Sequence, residues 1–264
     1  CIRERRQTSN GTFRKKRNSD IENDRQYEDV NALFFDANGN GYLDLYVVSG
    51  GNEHLANNPL YQDRLYLNDG NGNFKKSTNA LPDFYESGSV VKAHDIDGDG
   101  QLDLFVGSRL TPGRYPEVPQ SYLLKNNNGV FTDVTDQWSE GLKNIGLITD
   151  ATFKDLNNNG TKELILAGEW MPVSVFEFEN GTFKNQTRSY GLDNQNGWWY
   201  SLLVEDLNGD DYPEIIAGNL GLNSQLKASD TEPVSIYFKD FDNNGSLDAV
   251  LCHYDGGVSY PLLN

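Results

Sequence analysis

The stretch DIDGDGQLDLFV, residues 95–106, joins a dense acidic turn to an apolar run. Counted from Asp95, oxygen-bearing side chains stand at positions 1, 3, 5 and 9, and a glycine stands at position 6. A hard cation such as Ca²⁺ takes about 6–8 oxygen ligands at roughly 2.3–2.6 Å, and a glycine allows the sharp turn that aims them inward. The stretch therefore predicts a calcium loop that leads directly into a β-strand.

The same pattern recurs four more times, which chance does not explain. The other copies are DANGNGYLDLYVV from Asp36, DLNNNGTKELIL from Asp155, DLNGDDYPEII from Asp206 and DFDNNGSLDAVL from Asp240. A recurring unit of this kind is typical of arrays and propellers. With a backbone carbonyl expected at position 7, the predicted calcium ligands are Asp36, Asn38, Asn40, Tyr42, Asp44, Asp95, Asp97, Asp99, Gln101, Asp103, Asp155, Asn157, Asn159, Thr161, Glu163, Asp206, Asn208, Asp210, Tyr212, Glu214, Asp240, Asp242, Asn244, Ser246 and Asp248.

Two other interpretations of these loops are to be weighed. An EF-hand begins in the same way but needs an acidic ligand at position 12 and flanking helices. Position 12 is apolar in every copy, so the EF-hand is excluded: Val47, Val106, Leu166, Ala217 and Leu251. Polar turns held by Asx hydrogen bonds without metal stay open as an alternative. Carboxylates crowded into one turn repel each other, which favours the metal.

The number of carboxylates predicts different affinities for the five loops. The loop at Asp95 has four and is expected to bind most tightly; the loop at Asp240 has three, and the loops at Asp36 and Asp155 have two each. In the loop at Asp206, position 6 is Asp211, and a left-handed backbone there costs a non-glycine residue free energy. We expect that site to be distorted or weak.

Strand-like runs surround the loops and predict the architecture. A second element, strand, Asn/Gly turn and strand, follows at residues 64–74, 122–131 and 175–183 and indicates hairpins. Residues 9–16 resemble the tail of one more such hairpin without its first strand. Four strands with a metal loop between the first two make one blade of a β-propeller.

The predicted fold is therefore an all-β propeller of four-stranded antiparallel blades with calcium loops in the first (A–B) hairpins. It forms a single domain over 1–264, with a partial blade at 1–30, full blades at 31–88, 89–147 and 148–198, and irregular or partial blades over 199–264. Because the chain begins at Cys1 and ends at Asn264 inside a strand-like run, we expect a fragment of a larger propeller. Cys1 is either internal or a lipidated residue left after signal cleavage.

Charge is distributed unevenly along the chain. The net charge is −17, and residues 1–17 hold seven of the 22 basic residues and one acid, which leaves 15 basic against 38 acidic residues elsewhere. Such a surface repels nucleic acid and anionic lipid, so no nucleic-acid partner is expected, and the basic start is expected to be a solvated strand and turn. No apolar run approaches the roughly 18–20 residues of a membrane span, so no transmembrane segment is expected.

The loop pattern, followed by an apolar strand and then L-x-x-N-x-G-x-G-x-F, resembles the FG-GAP/VCBS repeat of integrin α-subunit propellers. A closer similarity is to bacterial VCBS-repeat proteins related to cartilage acidic protein, the ASPIC/UnbV group, and it is carried by FFDANGNGYLDLYVVSGGNE, QDRLYLNDGNGNF, GEWMPVSVF, NGWWYS and AGNLGLNSQLKAS. The resemblance implies about seven blades, Ca²⁺ in the A–B hairpins and an extracellular, periplasmic or cell-surface location. It implies no catalytic residue. The departures are Asp211 for glycine, and Glu163 and Glu214 at position 9.

These features predict a non-catalytic binding or adhesion module for an extracellular glycan or protein. The long linkers between the second and third strands of each blade lie opposite the metal hairpins and are expected to carry recognition. The candidate ligand-binding residues are His54, Tyr61, Arg109, Arg114, Tyr115 and Trp170.

Alternatives to a binding module are a polysaccharide lyase or dehydratase, which needs a cluster of basic groups or tyrosines to take a proton and stabilise an anion, and a purely structural spacer. The few basic candidates for such an enzyme are Lys92, Arg109, Arg114 and Lys154. Trp198 and Trp199 are expected to pack between blades or, alternatively, to stack on sugar rings.

Overall fold

A computed structural model describes residues 5–16, 19–221, 224 and 226–262. It assigns 45% of the chain to β-strands and 6% to helices, which confirms the all-β class. Cys1, Arg3 and Arg17 of the basic start, and residues 222, 223 and 225 of the last linker, lie outside the described residues.

The chain begins with a small hairpin that the sequence analysis predicted incompletely. β1 (Arg5–Gln7) pairs antiparallel with β2 (Phe13–Lys15), so the expectation that residues 9–16 lack a partner strand is wrong. The strand was missed because Arg5–Gln7 is wholly polar and has no apolar alternation. A short helix, α1 (Ser19–Asn23), follows and places Ile21 against Leu45 and Val47.

Three four-stranded antiparallel units follow, each with its strands in chain order, as expected for propeller blades; the third is part of a six-stranded sheet. The first contains β3 (Asp29–Phe35), β4 (Asp44–Ser49), β5 (Arg64–Asn68) and β6 (Phe74–Ser77). The second contains β7 (Ser87–His94), β8 (Asp103–Leu110), β9 (Tyr122–Asn127) and β10 (Val130–Asp133), followed by α2 (Thr135–Trp138) and α3 (Glu140–Lys143). The third contains β11 (Leu147–Lys154), β12 (Glu163–Met171), β13 (Ser174–Glu179) and β14 (Thr182–Asn185).

The remainder of the chain is less regular. β15 (Gly197–Glu205) and β16 (Glu214–Asn219) form a hairpin, and β15 also pairs with β12 through Glu169–Trp198 and Met171–Gly197. The described residues between 220 and 234 form no strand. β17 (Ser235–Lys239), β18 (Asp248–Asp255) and β19 (Val258–Pro261) then form a three-stranded sheet. Each of the five acidic loops thus joins two antiparallel strands.

The core lies between consecutive sheets, which pack face to face. One cluster joins the first and second sheets, a second joins the second and third, and a third joins the third sheet to β15 and β16. Their central residues include Tyr46, Val48, Val91 and Val106; Phe105, Ile148 and Leu166; and Ile165, Val175 and Val204. At Gly107 a Cβ atom would lie 2.7 Å from Ile148 Cγ2, so only glycine permits this approach of neighbouring sheets.

A buried carboxylate holds the first sheet together at the end opposite its acidic loop. Asp63 is 3% exposed, and its two oxygens accept hydrogen bonds from the Ser49 backbone N–H (2.7 Å) and the Tyr46 hydroxyl (2.8 Å). Desolvation raises the pKa of Asp63 to about 7, against the lowering effect of these two donors. The folded protein therefore keeps this acid protonated at pH values where the unfolded chain ionises it.

We expect Asp63 to make the protein less stable as the pH rises from about 4 to about 7, by up to about 1.4 kcal/mol per pH unit, because the unfolded state loses its proton first. Asp63→Asn keeps an acceptor for Ser49 and cannot ionise, so its free energy of unfolding should fall less over this range. Chemical denaturation of both proteins at pH 5 and pH 8 measures the difference. Equal pH dependence in the two proteins would contradict this assignment.

Candidate metal loops and the opposite face

Three hydrogen bonds within the loop are repeated in all five copies. The backbone N–H at position 6 donates to the aspartate at position 1, over 2.8–3.0 Å. The N–H at position 7 donates to the side chain at position 5, over 2.7–2.9 Å. The N–H at position 5 donates to the side chain at position 3, over 2.9–3.3 Å. The three side chains predicted as ligands are therefore fixed by one shared backbone geometry.

The acid at position 9 closes each loop from the strand that follows it. Its carboxylate accepts a hydrogen bond from the backbone N–H at position 2 in every copy, over 2.7–3.1 Å. Asp44, Asp103 and Glu163 are completely buried. Asp44 and Asp103 also accept from the backbone N–H groups of Asn68 and Asn126 on the third strand. Desolvation raises the pKa of Asp103 to about 6, although these N–H donors oppose the shift.

Two positions of each loop adopt a left-handed backbone. At position 6 the glycines have φ between 83° and 90°, and Asp211 has φ 71°, as expected from the sequence. Position 4 is also left-handed, which the sequence analysis missed. It holds only glycine or asparagine, the residues that tolerate this conformation best: Gly39, Gly98, Asn158, Gly209 and Asn243.

Carboxylates converge in two of the loops. Oxygens of Asp95, Asp97 and Asp99 lie within 4.8 Å of one another, as do those of Asp240, Asp242 and Asp248. Asp103, counted as a fourth carboxylate of its loop, does not join that group. Asp95 Oδ1 is buried without a hydrogen-bond partner. An all-oxygen donor set with one unsatisfied buried oxygen suits a hard cation such as Ca²⁺.

The chain supplies a cation of its own to one of these groups. Lys125 Nζ contacts Asp97 Oδ2 and lies 3.1 Å from Asp99 Oδ2. Hydrogen bonds to these two carboxylates raise the pKa of the Lys125 ammonium. The count of four carboxylates therefore overstates the negative charge of the loop at Asp95.

The third loop has an acid where the second has Lys125. Strand pairing aligns Leu104 with Leu124 and Leu164 with Phe176, so the residues that follow, Lys125 and Glu177, correspond. Glu177 Oε1 accepts a hydrogen bond from Asn159 Nδ2 over 3.2 Å. Glu177 is therefore a further oxygen donor beside the loop at Asp155. Glu177 was not predicted from the sequence, because its position beside the loop follows only from the pairing of strands that are distant in the chain.

The six candidate ligand-binding residues fall into two sets. Tyr61 is only 1% exposed, and its hydroxyl bonds to the backbone of His54, so it holds the linker in place and is not available to a ligand. His54 is exposed, and Arg114 pairs locally with Glu117. The remaining three, Arg109, Tyr115 and Trp170, are brought together by another residue.

That residue is Glu169, a buried acid that the sequence analysis did not identify. Arg109 donates to Glu169 Oε1 over 2.6 Å, and the Tyr115 hydroxyl donates to Glu169 Oε2 over 2.9 Å. The Trp170 indole N–H in turn donates to the Tyr115 hydroxyl over 2.7 Å. Burial raises the pKa of Tyr115, which keeps its hydroxyl protonated and able to donate.

The basic residues considered for lyase chemistry are all paired with carboxylates. Besides Arg109 and Arg114, Lys92 lies 3.7 Å from Asp150 and Lys154 lies 2.8 Å from Glu205. A lyase or dehydratase needs basic groups that are available to take a proton or stabilise an anion. These four side chains are already engaged by acids.

A comparison with known protein families matches two segments of the chain to one repeat. A sequence model described as an FG-GAP-like repeat matches residues 36–106 and 155–217, together just over half of the chain. Each match begins at position 1 of one loop and ends at position 12 of the next. A search of curated proteins found no match. Among the described residues, no helix is long and apolar enough to span a membrane.

Replacing Asp211 by glycine should stabilise the protein by about 0.5–1 kcal/mol, because glycine adopts φ 71° without the cost that a Cβ imposes. The backbone carbonyl of residue 211, which accepts from Asn158 Nδ2 over 2.7 Å, is retained. Gly160→Asp, the reverse change at the same loop position, is the matched control and should destabilise. Urea denaturation gives the free energy of unfolding of both variants. A lower value for Asp211→Gly than for the wild type would show that the backbone at Asp211 is not strained.

Proposed function

The chain belongs to the FG-GAP-like repeat family, and we propose that it is a calcium-binding β-propeller module that recognises a partner without catalysing a reaction. The observation that carries the proposal is the repeated loop geometry, in which one hydrogen-bond pattern fixes oxygen side chains at positions 1, 3, 5 and 9 in five copies. A turn that needed only to reverse the chain would not require an acid at both position 1 and position 9.

Calcium has a physical role in this proposal. The acid at position 1 directly follows the first strand of the hairpin and the acid at position 9 begins the second, so a cation bound between them would link the ends of those strands. Asp95 Oδ1, buried without a partner, would gain a ligand bond when the cation binds. The cation would also offset repulsion within the groups Asp95, Asp97, Asp99 and Asp240, Asp242, Asp248. The first of these groups is already partly neutralised by Lys125.

The metal-free alternative remains the direct competitor of this proposal. The Asx-type hydrogen bonds on which it depends are present in all five loops. They do not exclude a metal, because a carboxylate or amide oxygen that accepts one N–H keeps a second lone pair for coordination. The two alternatives differ in whether calcium changes the stability of the protein.

The cellular setting belongs to the proposal as well. Extracellular calcium modules work with dissociation constants of about 10⁻⁴–10⁻³ M, within reach of loops that carry two or three carboxylates. Such loops fit a protein that acts outside the cytoplasm, at the cell surface or in the periplasm. The similarity of the GEWMPVSVF and NGWWYS segments to bacterial VCBS-repeat proteins of the ASPIC/UnbV group supports the same setting.

Recognition is proposed for the face opposite the metal loops. The A–B hairpins are fixed by the hydrogen bonds within their loops. The linkers after β4, β8 and β16 emerge at the other end of each sheet. Irregular segments on a rigid scaffold commonly carry binding residues. Arg109 and Tyr115 converge on Glu169 at this end, and Trp170 donates to Tyr115, which gives the face an ordered polar and aromatic surface.

Calcium should raise the melting temperature of the protein, and EDTA should lower it. A cation that binds only the folded state stabilises it by about 2.7 kcal/mol for each site held at 100 times its dissociation constant. Thermal unfolding monitored by circular dichroism in CaCl₂ and in EDTA provides the measurement, with MgCl₂ at equal ionic strength as the control. Identical melting curves in all three solutions would contradict the calcium proposal and favour the metal-free turns.

Removing the charge of Lys125 should raise the affinity of its loop for calcium by up to about fivefold, because an exposed ion pair of this kind is worth about 0.2–1 kcal/mol. The Lys125 ammonium also lies 5.9 Å from the ring of Trp138. Luminescence of Tb³⁺, a stand-in for Ca²⁺, excited through Trp138 therefore reports on this loop.

Competition of Ca²⁺ with Tb³⁺ compares Lys125→Gln with Lys143→Gln, in which the lost lysine pairs with Asp136 away from the loops. A tighter Ca²⁺ constant in the first variant alone is expected. Equal constants in the two variants would mean that the Lys125 ammonium does not compete with the metal.

A further inference from the structure

Three sequence segments that the calcium loops do not explain meet in one cleft. They are GEWMP (168–172), NGWWYS (196–201) and the linker that follows β16 (Glu214–Asn219). The cleft has a volume of about 600 Å³, within the usual range for small-molecule sites. Its described lining includes the indoles of Trp170 and Trp198. It lies at the ends of β12 and β15 that are remote from the acidic loops.

Trp170 lies in the cleft with an unfavourable backbone conformation. Its φ is 64°, a left-handed value that is rare for a large aromatic residue. Such conformations persist where the surroundings enforce them, and they concentrate at binding and active sites. Here the bond from the indole N–H to Tyr115, and through Tyr115 to the buried Glu169, fixes the side chain. The indole is therefore positioned before any ligand arrives.

The second indole of the cleft belongs to Trp198, whose neighbour Trp199 points to the other face of the same strand. Trp198 and Trp199 are adjacent on β15, so their side chains point to opposite faces. Trp199 packs against the cluster that contains Ile165 and Val204. Trp198 instead meets Trp170 edge to face, with ring centroids 4.8 Å apart and planes at 86°. The expectation of inter-blade packing therefore describes Trp199, and Trp198 contributes to the cleft.

The polar groups of the cleft are almost entirely neutral. Its lining contains Asn196, Asn219, Ser224 and Ser229, which offer amide and hydroxyl groups as both donors and acceptors. Asp230 is the one charged residue among the lining residues that the structure describes. Arg109, the nearest basic group of the Glu169 network, is already bound to that acid.

We infer that this cleft binds an uncharged oligosaccharide, by stacking of sugar rings on the indoles and hydrogen bonds to the neutral rim. The inference rests on the proposed function, since it specifies the ligand class of the recognition face. Sugar rings present apolar C–H faces and a girdle of hydroxyls, which match indole surfaces bordered by amides and hydroxyls. An anionic glycan meets no available cation among the described lining residues, and the net charge of −17 repels it.

The test uses the calcium-loaded protein and three neutral hexasaccharides, of β-1,4-linked glucose, β-1,4-linked xylose and α-linked mannose, with hexagalacturonate as the charged comparison. Calorimetry measures affinity, and tryptophan fluorescence reports contact with an indole. At least one neutral hexamer is expected to bind and to change the fluorescence. Binding of hexagalacturonate alone, or of no neutral hexamer, overturns the inferred ligand class.

Trp170→Gly is the decisive variant, because glycine adopts φ 64° without strain while the indole is removed. It should keep the wild-type melting temperature within a few degrees and lose at least about tenfold in affinity for the bound hexamer. Trp198→Ala should also lose affinity. Phe34→Ala, which removes a 56% exposed aromatic side chain on the first sheet, is the control and should bind as wild type does.

The outcomes separate this inference from the proposed function. Undiminished sugar binding by Trp170→Gly and Trp198→Ala overturns the cleft as the site. A calcium-dependent melting temperature without any neutral sugar binding overturns the ligand class and leaves the calcium module standing. If sugar binding requires both indoles but calcium does not change the melting temperature, the cleft is supported as the binding site and calcium is removed from the proposed function.

Discussion

The hydrogen bond from the backbone N–H at position 2 to the acid at position 9 is the constraint on which the rest of the structure depends. It closes each acidic loop and connects the two strands on either side of it. In the first two sheets the same acid also receives an N–H from the third strand, so one buried carboxylate fixes three of four strands. Burying an acid is costly unless its oxygens are hydrogen-bonded, and here they are. The loop and the sheet therefore depend on each other.

The five loops share this geometry but differ in their side chains. Their backbones are alike, so the differences lie in the side chains of each loop and in those that reach it from neighbouring strands. Lys125 brings a positive charge to one loop, whereas Glu177, at the corresponding place in the next sheet, brings an acid. Asp211 introduces backbone strain into the loop that begins at Asp206. For the proposed calcium sites, we therefore expect the affinity to depend on the third strand and on the backbone as well as on the carboxylates of each loop.

Local sequence patterns predicted the all-β class, the loops and the left-handed conformation of Asp211, because each depends on residues close together in the chain. They did not predict what depends on pairing between distant segments. The charges that Lys125 and Glu177 bring to the loops follow from strand register. The network around Glu169 forms where the end of β12 meets the end of β8 and the linker that follows β8. The strand Arg5–Gln7 was missed for a different reason, since its wholly polar sequence carries no strand pattern.

Anomalous X-ray scattering from crystals grown in CaCl₂ tests most directly whether these loops hold cations, as proposed, or serve as metal-free turns. We expect an anomalous peak inside the loops, within about 2.3–2.6 Å of side-chain oxygens at positions 1, 3 and 5. The loop at Asp240, where three acids converge without a lysine, should show it clearly. Well-ordered loops with their internal hydrogen bonds intact and no anomalous peak in any of them would contradict the account.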